Sequence, residues 1–373
     1  MAALRRGRVC ALGHVHRRDR RVGRSVVRRP ALAGHGVRAR AGARAERDHR
    51  SSRALPSGAT RAYRRRRGAG PGLARPPDEV GSRGGGGGRV TRHVVLIGVD
   101  GLRIDDALAG GDAPALTAFV DAGSMASMEM EVPTLSGPGW ASILTGASHA
   151  EHGVRDNFFS GHNLLDHADF LSRAWFADQT VTTWVATSWP PIADPAGPAP
   201  IVWWRDEARR SGRHNVIVRD GETYGYSRMD GEVVAWSAQS LRWLGPRASF
   251  IYLGEVDLAG HLYGGAAPEY RAAVASVDGR LATLIESVRE RAAANPDEEW
   301  LVAITTDHGH LDIGGHGGSD PILTRAFLAA QLISAGGVKR PALPTAIVPT
   351  FVAPYLLDML AGGDGLVAGG RDL

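Results

Sequence analysis

The stretch LVAITTDHGHLDIGGHGG, residues 301–318, decides how the rest of the chain is read. An apolar, β-branched run stops at Asp307-His308, and a glycine-rich segment then carries His310 and His316. A short run of that kind reads as a buried parallel strand. Polar side chains directly after it fit an open α/β sheet, where ligands bind beyond the carboxyl ends of the strands. Two more runs share this design. Residues 94–99 lead to Asp100, and residues 250–256 lead to Asp257, with His261 four residues further on. One acid after a strand is an ordinary turn or cap residue. Three, two of them accompanied by His, predict a common crevice.

Working outward, residues 182–186 form another apolar run of strand type. From Pro268, a favourable first-turn residue, Tyr270, Val274, Val277, Leu281, Leu284 and Val288 line up on one helical face. A shorter helix is predicted over 138–145, starting just after Ser136. Alternating strands and helices imply an α/β fold with a mostly parallel central sheet flanked by helices. Residues 188–232, rich in Pro, Trp and Gly, read as a lid or insertion leaving the sheet, with a hairpin over 216–224 around Asp220-Gly221.

The net charge of +5 over 373 residues conceals two unlike segments. Residues 1–92 hold 25 Arg, no Lys and five acids, whereas residues 93–373 hold 19 basic and 34 acidic residues. The first segment has neither helical nor strand periodicity, so it is expected to be a disordered, Arg-rich extension. Two origins compete: an arm that grips nucleic acid or anionic lipid through phosphates, or an extension from a start codon assigned too far upstream. The exclusive use of Arg and the abrupt change near His93 favour the second, and assign the catalytic domain to 93–373. No apolar stretch suits a signal peptide or approaches the roughly 20 residues of a membrane span. A cytoplasmic location is the resulting expectation. The single cysteine, Cys10, lies in the Arg-rich segment, so a metal in the domain must be held by His and carboxylates.

Such a donor set suits zinc or a similar divalent ion, and a cysteine-free site points to catalysis rather than to a closed structural centre. A nucleophile is available in PTLSGPGW, residues 133–140. Ser136 stands at a predicted helix N-terminus, where backbone N–H groups favour an anion, and a bound cation would lower the pKa of its hydroxyl. Alone, a Ser in that position is an N-cap.

Together these residues resemble the alkaline phosphatase superfamily, and within it the nucleotide pyrophosphatase/phosphodiesterase (type I phosphodiesterase) branch. The similarity spans roughly 93–320 and rests on Gly98-Val99-Asp100-Gly101-Leu102-Arg103, Pro133 to Gly146, His152-Gly153-Val154, Asp257 to His261 and Thr306 to Gly309. The resemblance implies two divalent ions, zinc by expectation. Asp100, Ser136, Asp307 and His308 would hold one; Asp257, His261 and His316 would hold the other, with His310 the substitute for His316. It also implies Ser136 as nucleophile, a phosphoseryl intermediate, a small phosphorylated substrate, and Asn157 and the Gly137 N–H as phosphate donors.

The sequence departs from the branch in two places. Ser136 stands where Thr is usual, which is harmless because either hydroxyl can bind metal. Gly137 stands where nucleotide-cleaving members often carry a Phe that stacks on the base, which puts a nucleotide substrate in doubt. A phosphonate hydrolase or phosphomonoesterase would use the same metals. For a sulfatase, Ser136-x-Pro138 fits but Trp140 replaces a needed Arg. A non-enzymatic alternative is nucleic-acid binding through residues 1–92. Among the remaining histidines, His152 is expected to be structural and His149, His162, His167 and His214 solvated. Phe158, Phe159, Trp203 and Trp204 are read as pocket lining or as packing.

Overall fold

Nine strands assemble into one sheet in the computed structural model, which describes residues 90–365. They are β1 (Thr91–Val99), β2 (Ser124–Glu129), β3 (Thr183–Thr187), β4 (His214–Val218), β5 (Ala248–Leu253), β6 (Glu298–Thr305), β7 (Arg325–Ser334), β8 (Gly337–Lys339) and β9 (Ala346–Ile347). Their order is β4-β3-β5-β1-β6-β7-β2-β9, with β8 paired to β7. The β4-β3-β5-β1-β6 block is parallel, and β7 runs antiparallel to both β6 and β2. The central sheet is therefore mostly parallel with helices on both faces, as the alternation predicts.

Strand β1 explains the two cores. Val94 and Leu96 face a cluster that includes Trp140, Ile143 and Leu144 of the helix Ser136–Thr145 and Tyr355, Leu356 and Met359 of the helix Val352–Ala361. Val95, Ile97 and Val99 face the other way, onto Tyr270, Val274, Val277, Leu281, Leu284 and Val288 of the helix Pro268–Ala294. A strand buried on both faces must be apolar throughout, and each such side chain contributes about 1.5–3 kcal/mol. Strands β5, β1 and β6 are neighbours at the centre of the sheet, so the residues after them meet in space.

The structure corrects several expectations. Thr91 and Arg92, assigned by sequence to the Arg-rich segment, begin β1; the rest of that segment lies outside the described residues except Val90. Asp257 does not end a strand: β5 stops at Leu253 and Asp257 sits in the first turn of the helix Glu255–Tyr263. There is no hairpin over 216–224. Asp220 accepts a hydrogen bond from the Thr223 N–H and starts a helical turn, Gly221–Tyr224. Residues 188–232 are not an excursion throughout, because they include β4, which joins the sheet beside β3. Among the described residues, no helix is long and apolar enough to cross a membrane.

Candidate metal centre

Ser136 is the first residue of its helix rather than its cap. Leu135 holds the cap position and no side chain caps the end, so the Ser136 hydroxyl is not spent on the backbone. It points instead at His308, with Oγ 3.4 Å from Nε2. The same Nε2 lies 3.4 Å from Asp100 Oδ1 and 3.3 Å from Asp307 Oδ2. Both of those carboxylate oxygens are buried without a hydrogen-bond partner. Buried polar atoms are normally satisfied, so orphaned oxygens converging on an imidazole nitrogen have the character of ligands. The other His308 nitrogen, Nδ1, is 3.1 Å from the Gly309 carbonyl. Donation there keeps the proton on Nδ1 and leaves Nε2 with a lone pair, as a ligating histidine needs.

Neighbouring groups hold this arrangement. Asp100 Oδ2 accepts from Trp140 Nε1 at 2.9 Å and from the Tyr252 hydroxyl at 2.6 Å, leaving Oδ1 free. Thr306 Oγ1 accepts the Leu102 N–H, tying the loops after β1 and β6 together. Gly101 has φ +69°, and a Cβ there would stand 2.9 Å from Asp257 Cα, so glycine lets the turn after β1 approach the first turn of the helix Glu255–Tyr263.

The second group lies beside it. Asp257 Oδ2 is 3.4 Å from His261 Nε2, and Asp257 Oδ1 is 3.5 Å from His316 Nε2 and 2.7 Å from His310 Nε2. His261 and His316 bring their Nε2 atoms within 2.9 Å of one another. His316 Nδ1 is 2.8 Å from the Thr134 carbonyl, the same locking seen for His308. His310 has no such lock, because its Nδ1 is buried without a partner. The His308 and His316 rings stack with centroids 3.8 Å apart, so the two groups form one continuous site.

Electrostatics separate the carboxylates. Burial, then the charge of Asp257, pushes Asp100 up to about 8. Burial and the charges of Asp100 and Asp257 hold Asp307 well above the usual carboxylate range. Burial would raise Asp257 as well, but the His310 hydrogen bond and the charges of His308, His310 and His316 bring it down to about 2. Burial also lowers His308 and His316. Like charges this close and this buried cannot all ionise unless a cation is added. The orphaned oxygens, the locked imidazoles and the absence of thiolates all fit divalent ions of zinc type.

Asn157 and Gly137 also meet. The Gly137 N–H donates to Asn157 Oδ1 at 2.7 Å, so that N–H is engaged and the Asn157 amide turns its Nδ2 elsewhere. A Cβ at 137 would stand 2.7 Å from the Asp156 carbonyl and 3.2 Å from the Phe159 ring, so an aromatic side chain has no room there.

Other histidines depart from expectation. His214 is buried, not solvated, and its Nδ1 is 2.7 Å from Thr183 Oγ1 and 2.7 Å from Arg205. His149 is half-buried near Glu131. His152 is structural as expected, bonded to Ser142 and to the Val154 N–H. Of the aromatics, Phe159 is buried against Trp189, Phe158 is exposed, Trp203 bonds the Leu164 carbonyl, and Trp204 stacks under Arg209. Tyr252, Trp140 and Arg103 were not among the expected site residues. Their roles depend on partners 40 to 207 positions away, for which a single sequence carries no signal.

The model of the family described as type I phosphodiesterase/nucleotide pyrophosphatase matches residues 94–337. The human ectonucleotide pyrophosphatase/phosphodiesterase family member 7 is 27% identical over 261 residues, covering 66% of this chain and 52% of its own length. The chain thus spans about half the length of that curated relative. Murine ectonucleotide pyrophosphatase/phosphodiesterase 5 superposes with a TM-score of 0.53 at 14% identity, over 72% of this chain and 95% of that one. BT1596, a 2-O glycosaminoglycan sulfatase, gives 0.52 at 12% identity, over 75% and 73%. At such identities the two structures speak for the fold alone. With the family model matching well over half its length, the chain belongs to the type I phosphodiesterase/nucleotide pyrophosphatase family.

Proposed function

We propose that this chain is a two-metal hydrolase that cleaves a phosphodiester or phosphoanhydride bond through a phosphoserine at Ser136. The observation that carries the proposal is the meeting of Ser136 Oγ, Asp100 Oδ1 and Asp307 Oδ2 around His308 Nε2, with both carboxylate oxygens otherwise unpartnered. Asp100, Ser136, Asp307 and His308 would hold one ion, and Asp257, His261 and His316 the other. Bound zinc ions would supply positive charge that polarises the phosphoryl group and lowers the pKa of hydroxyl and water.

The chain's own groups do the rest. The stub helix start places Ser136 Oγ, with its hydroxyl uncommitted to capping, to form a bond to phosphorus as the opposite ester oxygen departs with its electron pair. Water then attacks the phosphoserine and restores the free hydroxyl. The Gly137 N–H fixes Asn157 Oδ1, which leaves the Asn157 Nδ2 donor to bond a phosphoryl oxygen as charge develops. Because position 137 cannot carry an aromatic ring, no base is selected by stacking at that position.

Zinc-loaded chain assayed on matched p-nitrophenyl esters tests this. Turnover of the thymidine monophosphate diester above the phosphate, phenylphosphonate and sulfate esters supports the proposal, and turnover of sulfate alone contradicts it. Ser136→Ala should lower kcat by about 10³-fold or more while the Asp257 centre keeps its ion.

A further inference from the structure

Asp257 and His261 ride on one helix, Glu255–Tyr263, whereas His316 stands on the loop after β6. The spacing of Asp257 to His261 is therefore internal to a helix, but the spacing of Asp257 to His316 depends on where that helix is laid down. We propose that Asp230, on the neighbouring helix Tyr226–Gln239, is a positioning residue that fixes this placement by holding the first N–H groups of the Asp257 helix. The inference rests on the reading of Asp257, His261 and His316 as the ligands of one ion.

The first N–H groups of a helix have no partner within it and are commonly met by the side chain of the cap residue. Here the cap is Gly254, which offers no side chain, and a Cβ there would run into the Tyr226 ring. The task passes to Asp230, fully buried and 24 positions away. Its carboxylate accepts the Gly254 N–H at 3.1 and 3.2 Å and the Glu255 N–H at 2.9 Å. A side chain on the cap residue stabilises a helix wherever the helix lies. An acceptor on a different helix also decides where it starts. Burying a carboxylate is costly unless it is bonded and paired, and Arg280 Nη1, 3.7 Å from Asp230 Oδ2, supplies the opposite charge. Arg280 and Ser276 also bind the Glu255 carboxylate, so the helix Pro268–Ala294 grips the same turn.

Asp257 follows Glu255 in that first turn, so any shift of the turn passes to its carboxylate. Its Oδ1 must meet His316 Nε2, 3.5 Å away on a separate loop, and a misplacement of about 1 Å is enough to spoil such a geometry. The fold holds a matched control. Asp278 is also buried and accepts the Ala115 N–H at 2.9 Å and the Leu116 N–H at 2.8 Å, capping the helix Pro114–Ala122 from outside it. That helix carries none of the metal-centre residues.

The full chain would be titrated with zinc against a chelator, with the Tm of each variant measured alongside. Asp230→Ala should weaken the second ion by about 10-fold or more while the first binds as in the wild type. Asp230→Asn, equal in length and still an acceptor, should keep most of the affinity. Asp230→Glu keeps the carboxylate but is one methylene longer, so it caps the helix and moves its start; it should weaken the second ion as well. The contrast of Glu with Asn carries the test if Asp230→Ala does not fold. Asp278→Ala should lower Tm and leave both affinities unchanged. Wild-type affinity for the second ion in Asp230→Ala or Asp230→Glu would reduce Asp230 to an ordinary cap and overturn the inference. So would a loss in Asp230→Asn as large as in Asp230→Glu, or a loss in Asp278→Ala as large as in Asp230→Ala. A wild-type chain that binds no divalent ion would overturn the metal reading itself, and would be seen before any variant.

Discussion

Histidines are buried in two regions of this molecule, and burial does not tell them apart. At the carboxyl edge of the sheet, His308 and His310 are as inaccessible as His93, His152 and His214 in the body of the fold. Nor does the direction of titration separate them, since burial lowers His308 and His316 just as it lowers His93, His152 and His214. The difference is what the nitrogens face. In the body, Val154 and Arg205 donate to the rings of His152 and His214, and His93 lies against the Pro246 carbonyl, stacked on Trp300. At the edge, Nε2 of His308 and His316 face carboxylates while Nδ1 is locked to a carbonyl. His93 shares part of that pattern, with Nδ1 at the Pro246 carbonyl and Nε2 3.8 Å from Glu298, but two carboxylates, Asp100 and Asp307, converge on His308 at 3.3–3.4 Å.

The sharpest break between the regions is expected from His308→Ala. It should remove the first ion and lower kcat by about 10³-fold or more, with little change in Tm. His152→Gln should do the reverse, lowering Tm while metal content holds. Metal analysis and thermal unfolding of both variants check this.

Acid should act on the body of the fold. His93 and His152 are lowered to about 4 and His214 to about 3, from 6.5, by burial first in each case. Below about 6.5 the unfolded chain takes up protons that the folded chain refuses, so stability is complete above that pH and falls towards pH 4. Denaturant titrations at pH 7 and pH 4.5 should show a loss of a few kcal/mol, on the order of one to three per histidine. An unchanged midpoint would contradict the neutral assignment. The smallest effect is expected from Tyr252→Phe, which removes one hydrogen bond to Asp100. The first ion should bind about 10-fold more weakly with Tm nearly unchanged.

The sequence exposes what is local or periodic. The apolar runs before Asp100 and Asp307, and the face from Tyr270 to Val288, are visible because a strand buried on both sides and a one-faced helix each impose a pattern. Asp220-Gly221 misleads because the same dipeptide suits a hairpin or a helix start; the Asp220 side chain, bonded to the Thr223 N–H, decides for the helix. Strand β4 is short and only half-buried, so its alternation is faint. His214 resembles a solvated residue beside Arg213, and its contacts with Thr183, 31 positions away, and with Arg205 go with its burial. The supports of the metal centre, Tyr252, Trp140 and Arg103, are invisible for the same reason.

Counting ions tests the account most directly. Elemental analysis of zinc-loaded, dialysed chain should find two ions per chain in the wild type, one in His308→Ala and one in His261→Ala. A wild type that retains fewer than two, or variants that keep both, would contradict a paired centre built on these side chains.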